Sequence, residues 1–439
     1  MQNSLNTQKS NFVIKGVLAH SEVVPAKKSV PLGKHTESYS ADSINSDKKQ
    51  HYKKARYKTL SVIQKILSQC AGKWRVTGCG IKRIDKLQNV FVTYDKQNRS
   101  ASYRNVQVCG NTWLCPVCSE RIAHERKQEI ERLIVLMHKR NLKAHMLTLT
   151  TPHYLTDDLK DLLEKQALAK KYFFGDRKSK AFWENEFPHL GHITSTEVKY
   201  SDNNGWHPHY HLIVVTEEGY SEKELKKKET AIYELWADCC VRAGLKRPSR
   251  KHGVDLKRGY DDDELNNPES LINYALKGSL ANELTMSHCK TGRFNRDSLT
   301  PFEIALLAEN EKDFEHESSK YSNLFYQYAV AFKGKKQSFI NKSLKDLIRK
   351  IEEEEKAKEQ DDKSEPEKQD EPTVVYELIP IEWRALCSDV NGRGDFLVAI
   401  EKDIEELGID TNKFPRADSV LNRILGGQGG GFPIAHGII

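Results

Sequence analysis

Three histidines, His207, His209 and His211, occupy every second position of a short apolar run. Side chains alternate across a strand, so all three imidazoles share one face. Neutral imidazole is the commonest protein metal ligand, and a row of three beside a core calls for a bound ion. Twelve residues before His209 stands Glu197, and between them runs Ser201-Asp202-Asn203-Asn204-Gly205, a string of turn formers. A hairpin folded there sets residues near Glu197 opposite residues near His209. Mixed imidazole and carboxylate ligation with open positions suits Mg²⁺ or Mn²⁺ acting on a phosphate, although these residues also tolerate zinc. His209 and His211 are the core ligands, with His207 and Glu197 competing for the third place. The plain alternative for Glu197 is a solvated strand carboxylate.

A second group is sulfur. Cys115-Pro116-Val117-Cys118 has the spacing at which two thiolates chelate one tetrahedral zinc, and Cys109 and Cys79 could complete a quartet, with His124 as a substitute. The competing reading is buried reduced cysteine. Trp113 precedes this knuckle and Arg121, Arg126 and Lys127 follow it, while Lys333, Lys335 and Lys336 form another basic patch. Basic residues interleaved with an aromatic are candidate DNA contacts, and a solvated helix face explains them equally well. A third group lies on a helix that Asn267 and Pro268 open, where Tyr274 and Lys277 are three residues apart. A tyrosyl oxygen can attack a phosphodiester and later be displaced, and the lysine could steady the developing charge. By spacing alone Tyr274 would be an ordinary core residue.

The elements that must hold these groups read as an α+β fold with a central antiparallel sheet and flanking helices. Ile130, Leu133, Ile134 and Met137 define a helix that delivers a strand ending at Thr151-Pro152, and two further strands, about 193–200 and 207–216, form the hairpin. Ile232, Leu235, Trp236 and Cys239 mark another helix, Val254 to Lys257 a short strand, and Thr300 with Glu303 a capping box. The chain of 439 residues is divided into a disordered leader (1–55), a small Cys-rich zinc-binding-like module (56–130), a catalytic domain (131–350), a charged linker (351–373) and a C-terminal tail (374–439). A net charge of +7 tolerates a polyanionic partner without requiring one. No run approaches the 18 or so apolar residues of a membrane span, and the N-terminal apolar pieces are broken by Lys15 and Gly16, so no membrane association is expected and the chain reads as cytoplasmic. Nine cysteines then point to reduced thiols or metal rather than disulfides.

His209-Tyr210-His211 resembles the His-hydrophobe-His motif of the HUH endonucleases, and the fuller His207-to-His211 run with Asn204-Gly205-Trp206 before it resembles the rolling-circle plasmid replication initiators. Leu147-Thr148-Leu149-Thr150-Thr151-Pro152, Cys115-Pro116-Val117-Cys118, Tyr274 with Lys277, and Tyr328 to Gln337 resemble other blocks of that family, in order, over about residues 105 to 348. The resemblance implies a metal-dependent nicking and joining enzyme that forms a 5′-phosphotyrosine link at an origin. It implies single- and double-stranded origin DNA, host helicase and the replication machinery as partners, and leaves a homodimer open. One departure is Ser270, where relatives often carry the Glu implicated in terminating cleavage. An HUH transposase or relaxase shares the chemistry, though Tyr274 has no tyrosine at i+4, and a non-enzymatic zinc-dependent DNA-binding regulator is the different-class alternative.

Overall fold

A computed structural model describes residues 46–258, 298–310, 320–358 and 371–426. Helix α1 (Ser46–Gln69) leads to strands β1 (Val90–Asp95) and β2 (Ser100–Arg104), and α2 (Pro116–Lys139) follows. Next come β3 (Lys143–Thr150), α3 (Leu159–Gly175), the short α4 (Arg177–Ala181), β4 (Gly191–Ser201), β5 (Gly205–Thr216), α5 (Glu222–Arg242) and β6 (Val254–Arg258). Beyond residue 297 the chain forms α6 (Pro301–Asn310), α7 (Lys320–Ala331), β7 (Ser338–Ile340) and α8 (Lys342–Lys358). It ends in β8 (Thr373–Leu378), α9 (Pro380–Ser388), α10 (Gly392–Leu407) and α11 (Pro415–Gly426).

Strand β5 carries the histidines and is the middle strand of a five-stranded antiparallel sheet ordered β6-β3-β5-β4-β7. Strand alternation gives its two faces different covers. Tyr210, Leu212 and Val214 join the helical residues Phe173, Ile232, Leu235, Trp236 and Cys239 in one core. On the histidine face, Ile213 and Val215 pack under Ile130, Leu133, Ile134 and Met137 of α2 and Leu344 of α8. The apolar cover on that face stops at Ile213, one pleat beyond His211. The α+β expectation holds, and so does the hairpin, whose strands pair from Gly191↔Val215 to Ser201↔Gly205. Thr300 and Glu303 exchange the capping hydrogen bonds that start α6, with Thr300 N–H donating to Glu303 Oε2 at 2.7 Å and Glu303 N–H to Thr300 Oγ1 at 3.3 Å.

Polar residues carry more of the fold than their composition implies. Residues 46–55, read from sequence as the end of a leader, belong to α1, where Gln50 and Lys53 are buried. Lys53 pairs with Glu401 of α10 and donates to Ala101 O at 2.9 Å and Ser100 Oγ at 2.8 Å. Its side chain looks solvated in sequence because its partner lies far along the chain. The segment read as a C-terminal tail supplies β8, which pairs with β1 in a second sheet ordered β2-β1-β8. Helices α9 to α11 then bury Trp383, Leu386, Phe396, Ile400, Leu421 and others against that sheet. The boundary drawn at residue 130 falls inside α2, which holds cysteines at its N-terminus and covers the histidine sheet with its later turns. Among the described residues, no helix is long and apolar enough to cross a membrane.

Candidate metal and nucleic-acid site

The register sets Glu197 directly opposite His209, and Ser195 opposite His211. As a result, the Nε2 atoms of His209 and His211 lie 3.0 and 2.9 Å from the same oxygen, Oε2 of Glu197. Ligands at about 2.1 Å in octahedral geometry are separated by about 3.0 Å along an edge, so these three atoms have the spacing of cis ligands around one Mg²⁺- or Mn²⁺-sized ion. Each imidazole is also held by its other nitrogen. His209 Nδ1 reaches the His207 carbonyl at 3.4 Å, and His211 Nδ1 reaches Thr148 Oγ1 at 3.2 Å. Outer hydrogen bonds of this kind fix the ring and leave Nε2 to ligate. Thr148 comes from β3, paired opposite His211.

The electrostatics match a cation site. Burial pushes the Glu197 carboxyl upward, but hydrogen bonds from His209 and His211 and the charges of His209 and Lys199 more than reverse this, holding it well below the usual carboxylate range. Glu197 is therefore an anion in a buried position, 4% exposed, not a solvated strand carboxylate. His207 is on the same face, yet it stands outside the group whose ligand atoms converge, which is Glu197, His209 and His211. Its ring stacks on His153 at 4.3 Å, and its Nε2 has no hydrogen-bond partner. Burial, with His209, His153 and Lys199 nearby, pulls it down to about 3. Geometry thus favours Glu197 over His207 for the third position.

The four cysteines named from sequence also converge. Sγ separations are 3.7 Å for Cys79–Cys115, 3.6 Å for Cys79–Cys118 and 3.7 Å for Cys109–Cys118. A zinc ion with sulfur at about 2.3 Å has tetrahedral edges of about 3.8 Å, so the quartet fits zinc and is far too open for a disulfide. Backbone N–H groups of Cys109, Asn111 and Cys118 point at sulfurs of Cys79, Cys109 and Cys115, each at 3.4 Å. These donors favour thiolate. Hydrogen bonds from Cys109, Cys115 and Cys79 hold the Cys118 thiol well below its ordinary range. His124 is exposed and bonded to Gln128 on α2, away from the ligand role sequence allowed it.

The two clusters are linked through the basic turn after α7. Trp113 Nε1 donates to Lys335 O at 2.8 Å, and Tyr328 donates from its hydroxyl to Trp113 O at 2.9 Å. Lys333 lies over the Trp74 ring at 5.0 Å. Two residues beyond Lys335, Gln337 accepts Thr196 N–H at 3.0 Å on its carbonyl and Arg126 Nη1 at 2.8 Å on Oε1. Thr196 neighbours Glu197 in β4. Lys333, Lys335, Lys336 and Arg126 are therefore strung between the cysteine quartet and the histidine site. Lys127 pairs with Glu131 at 3.6 Å and exposed Arg121 with Glu125 at 4.0 Å, both within α2. Tyr274, Lys277 and Ser270 lie outside the described residues.

The residues that build these clusters lie in a stretch of chain that is similar to known proteins. A family model described as "Replication protein" matches residues 100–388, more than half of the chain. The chain belongs to this replication protein family. It is 29% identical over 239 residues to "Protein rep" of Streptomyces lividans, covering 45% of this chain and 52% of that relative. It is also 28% identical over 130 residues to a protein of Streptomyces cyanogenus named "Neomycin resistance protein", covering 24% of this chain and 30% of that one. The chain thus spans about half the length of the first relative and under a third of the second. No solved structure matches it. Both metal-type clusters and the basic turn fall largely within the matched residues, with Cys79 just upstream. Sequence reading overlooked Lys199 and His153, which carry no motif and gain meaning only from what the sheet sets beside them, and it named Gln337 only as the end of a family-like block, without its bonds to Thr196 and Arg126.

Proposed function

We propose that this replication protein initiates plasmid rolling-circle replication by nicking one origin strand through Tyr274 and later rejoining it. The observation that carries the reading is the convergence of His209, His211 and Glu197 on one point of a buried strand pair, beside a row of basic residues. Mg²⁺ or Mn²⁺ held by these three side chains would supply a Lewis acid for the scissile phosphate. Their buried, hydrogen-bonded setting keeps the carboxylate ionised and the imidazoles oriented. Arg126 and the 333–336 lysines draw the strand in by its phosphates. The Tyr274 oxygen attacks phosphorus, forming one P–O bond while the bond to the 3′-oxygen breaks. The phenolic proton is balanced by protonation of the leaving oxygen, which gives a free 3′-hydroxyl and a 5′-phosphotyrosyl link. Lys277 steadies the phenolate in this scheme. Zn²⁺ held by Cys79, Cys109, Cys115 and Cys118 would brace the loop that carries Trp113, whose hydrogen bond to Lys335 O holds the basic turn.

The test uses labelled single-stranded fragments of the protein's own replicon with Mn²⁺ and a denaturing gel. A covalent adduct in the wild type that is absent in Tyr274→Phe is expected. An adduct that persists in Tyr274→Phe, or none with any fragment of the replicon, refutes the reading.

A further inference from the structure

One pleat from the metal-type cluster, the same strand pair presents a second row of groups. Lys199 pairs opposite His207, as Glu197 pairs opposite His209, so the two rows lie about 6.7 Å apart along the strands. The Lys199 ammonium sits 3.3 Å from Glu197 Oε1, the oxygen the histidines do not use, and its side chain is 36% exposed. One contact leaves two of its three donors for an outside acceptor. Beside it, His207 stacks face to face on His153, with the planes 14° apart. His207 Nε2 makes no hydrogen bond, so the fold leaves that ring nitrogen without a polar partner. His153 lies three residues beyond the end of β3 and is only partly buried, and the next residues, Tyr154 and Leu155, are 46% and 55% exposed. The row thus joins a cation that can still donate to a stacked aromatic pair at an open, partly apolar rim.

We propose that Lys199 and the His153–His207 stack form a nucleotide subsite adjoining the metal cluster. Lys199 takes the phosphate next to the scissile one, and His153 packs against the intervening base. A charge-assisted N–H···O bond is the strong kind, and stacking accepts any base, so this subsite fixes the position of the strand without reading its sequence. The inference rests on the metal reading of Glu197, His209 and His211.

The probes are thymidine 5′-monophosphate and thymidine 3′,5′-bisphosphate, whose two phosphates are one nucleotide apart, titrated into the Mn²⁺-loaded full chain by calorimetry. The wild type should bind the bisphosphate about tenfold more tightly than the monophosphate. Lys199→Gln should bring that ratio close to one while Mn²⁺ uptake persists, and Lys199→Arg should restore it. His153→Ala should weaken both nucleotides and leave inorganic phosphate binding unchanged. Mn²⁺ uptake with an undiminished ratio in Lys199→Gln overturns the subsite alone, as does equal loss of both nucleotides and inorganic phosphate in His153→Ala. A wild type with no His209-dependent Mn²⁺ uptake overturns the metal reading and the subsite with it.

Discussion

Replacing Arg393 tests how the C-terminal segment supports the cysteine quartet. This arginine on α10 is 1% exposed. Its Nη1 donates to the carbonyls of Cys79 at 3.3 Å and Gly80 at 2.9 Å, and its Nη2 donates to Ser61 Oγ and Gln64 Oε1, both at 2.8 Å. Arg393→Met keeps most of the side-chain volume and removes all four of these hydrogen bonds, together with a buried Nε that has no partner. Cys79 O would keep Gln64 Nε2 at 2.7 Å, and Ser61 would still donate to Tyr57 O at 3.0 Å. Gly80 O and Gln64 Oε1 would lose their short partners, leaving Gly80 O with a 3.9 Å thiol contact from Cys387. Two stranded buried acceptors cost about 1 to 3 kcal/mol each, and relief from burying a guanidinium returns part, for a net loss of about 3 kcal/mol. Urea unfolding of the metal-loaded chain measures it, and a colorimetric chelator measures zinc release, which should quicken because the carbonyl clamp holds a ligand-bearing turn. A loss under about 0.5 kcal/mol with unchanged zinc release would refute the clamp.

Gly205→Ala should destabilise the hairpin by about 1 to 3 kcal/mol, since φ is +78° and an added Cβ would sit 2.8 Å from Tyr154 O and 2.9 Å from Leu155 Cα; thermal melts and nicking assays read it together. His209→Ala with His211→Ala should abolish nicking and Mn²⁺ uptake while sparing much of the duplex affinity measured by gel shift, and equal loss of binding and nicking would speak for a structural role. Neutralising Lys333, Lys335 and Lys336 together should lower the salt slope of single-strand binding by up to about 2, as read from affinities at several salt concentrations. Burial lowers Lys170 to about 8, beneath its ordinary 10.5. Between those values the unfolded chain binds more protons than the folded one, so this lysine's contribution makes stability rise with pH from about 8 to 10.5, by at most about 3 kcal/mol. Lys170→Met should be the more stable protein at pH 7 and lack that rise in urea unfolding measured across the interval.

The local patterns reached a long way into this molecule because they obey local rules. Alternation put His207, His209 and His211 on one face, turn residues 201–205 fixed the hairpin, and the i, i+3, i+4, i+7 spacing of Ile130 to Met137 and Ile232 to Cys239 chose the helical faces that bury against the sheet. The Cys115–Cys118 knuckle was legible for the same reason. Register and long-range pairing were not. The turn placed residues near Glu197 opposite residues near His209, but only the sheet fixed the exact pair and set His207 against His153, because one residue of slip would have moved every side chain to the other face. Only packing drew Cys79 and Cys109 to the knuckle, gave Lys53 its partner Glu401 and made the segment 373–426 part of the β1–β2 layer. Composition could not foretell these, since the free energy of a buried polar group depends on a partner that may stand hundreds of residues away. The sequence by itself determined which residue types could hold a metal and which strand would carry them. The tertiary structure decided which of them meet, because ligation depends on distances of a few ångströms that only a completed sheet and core can set.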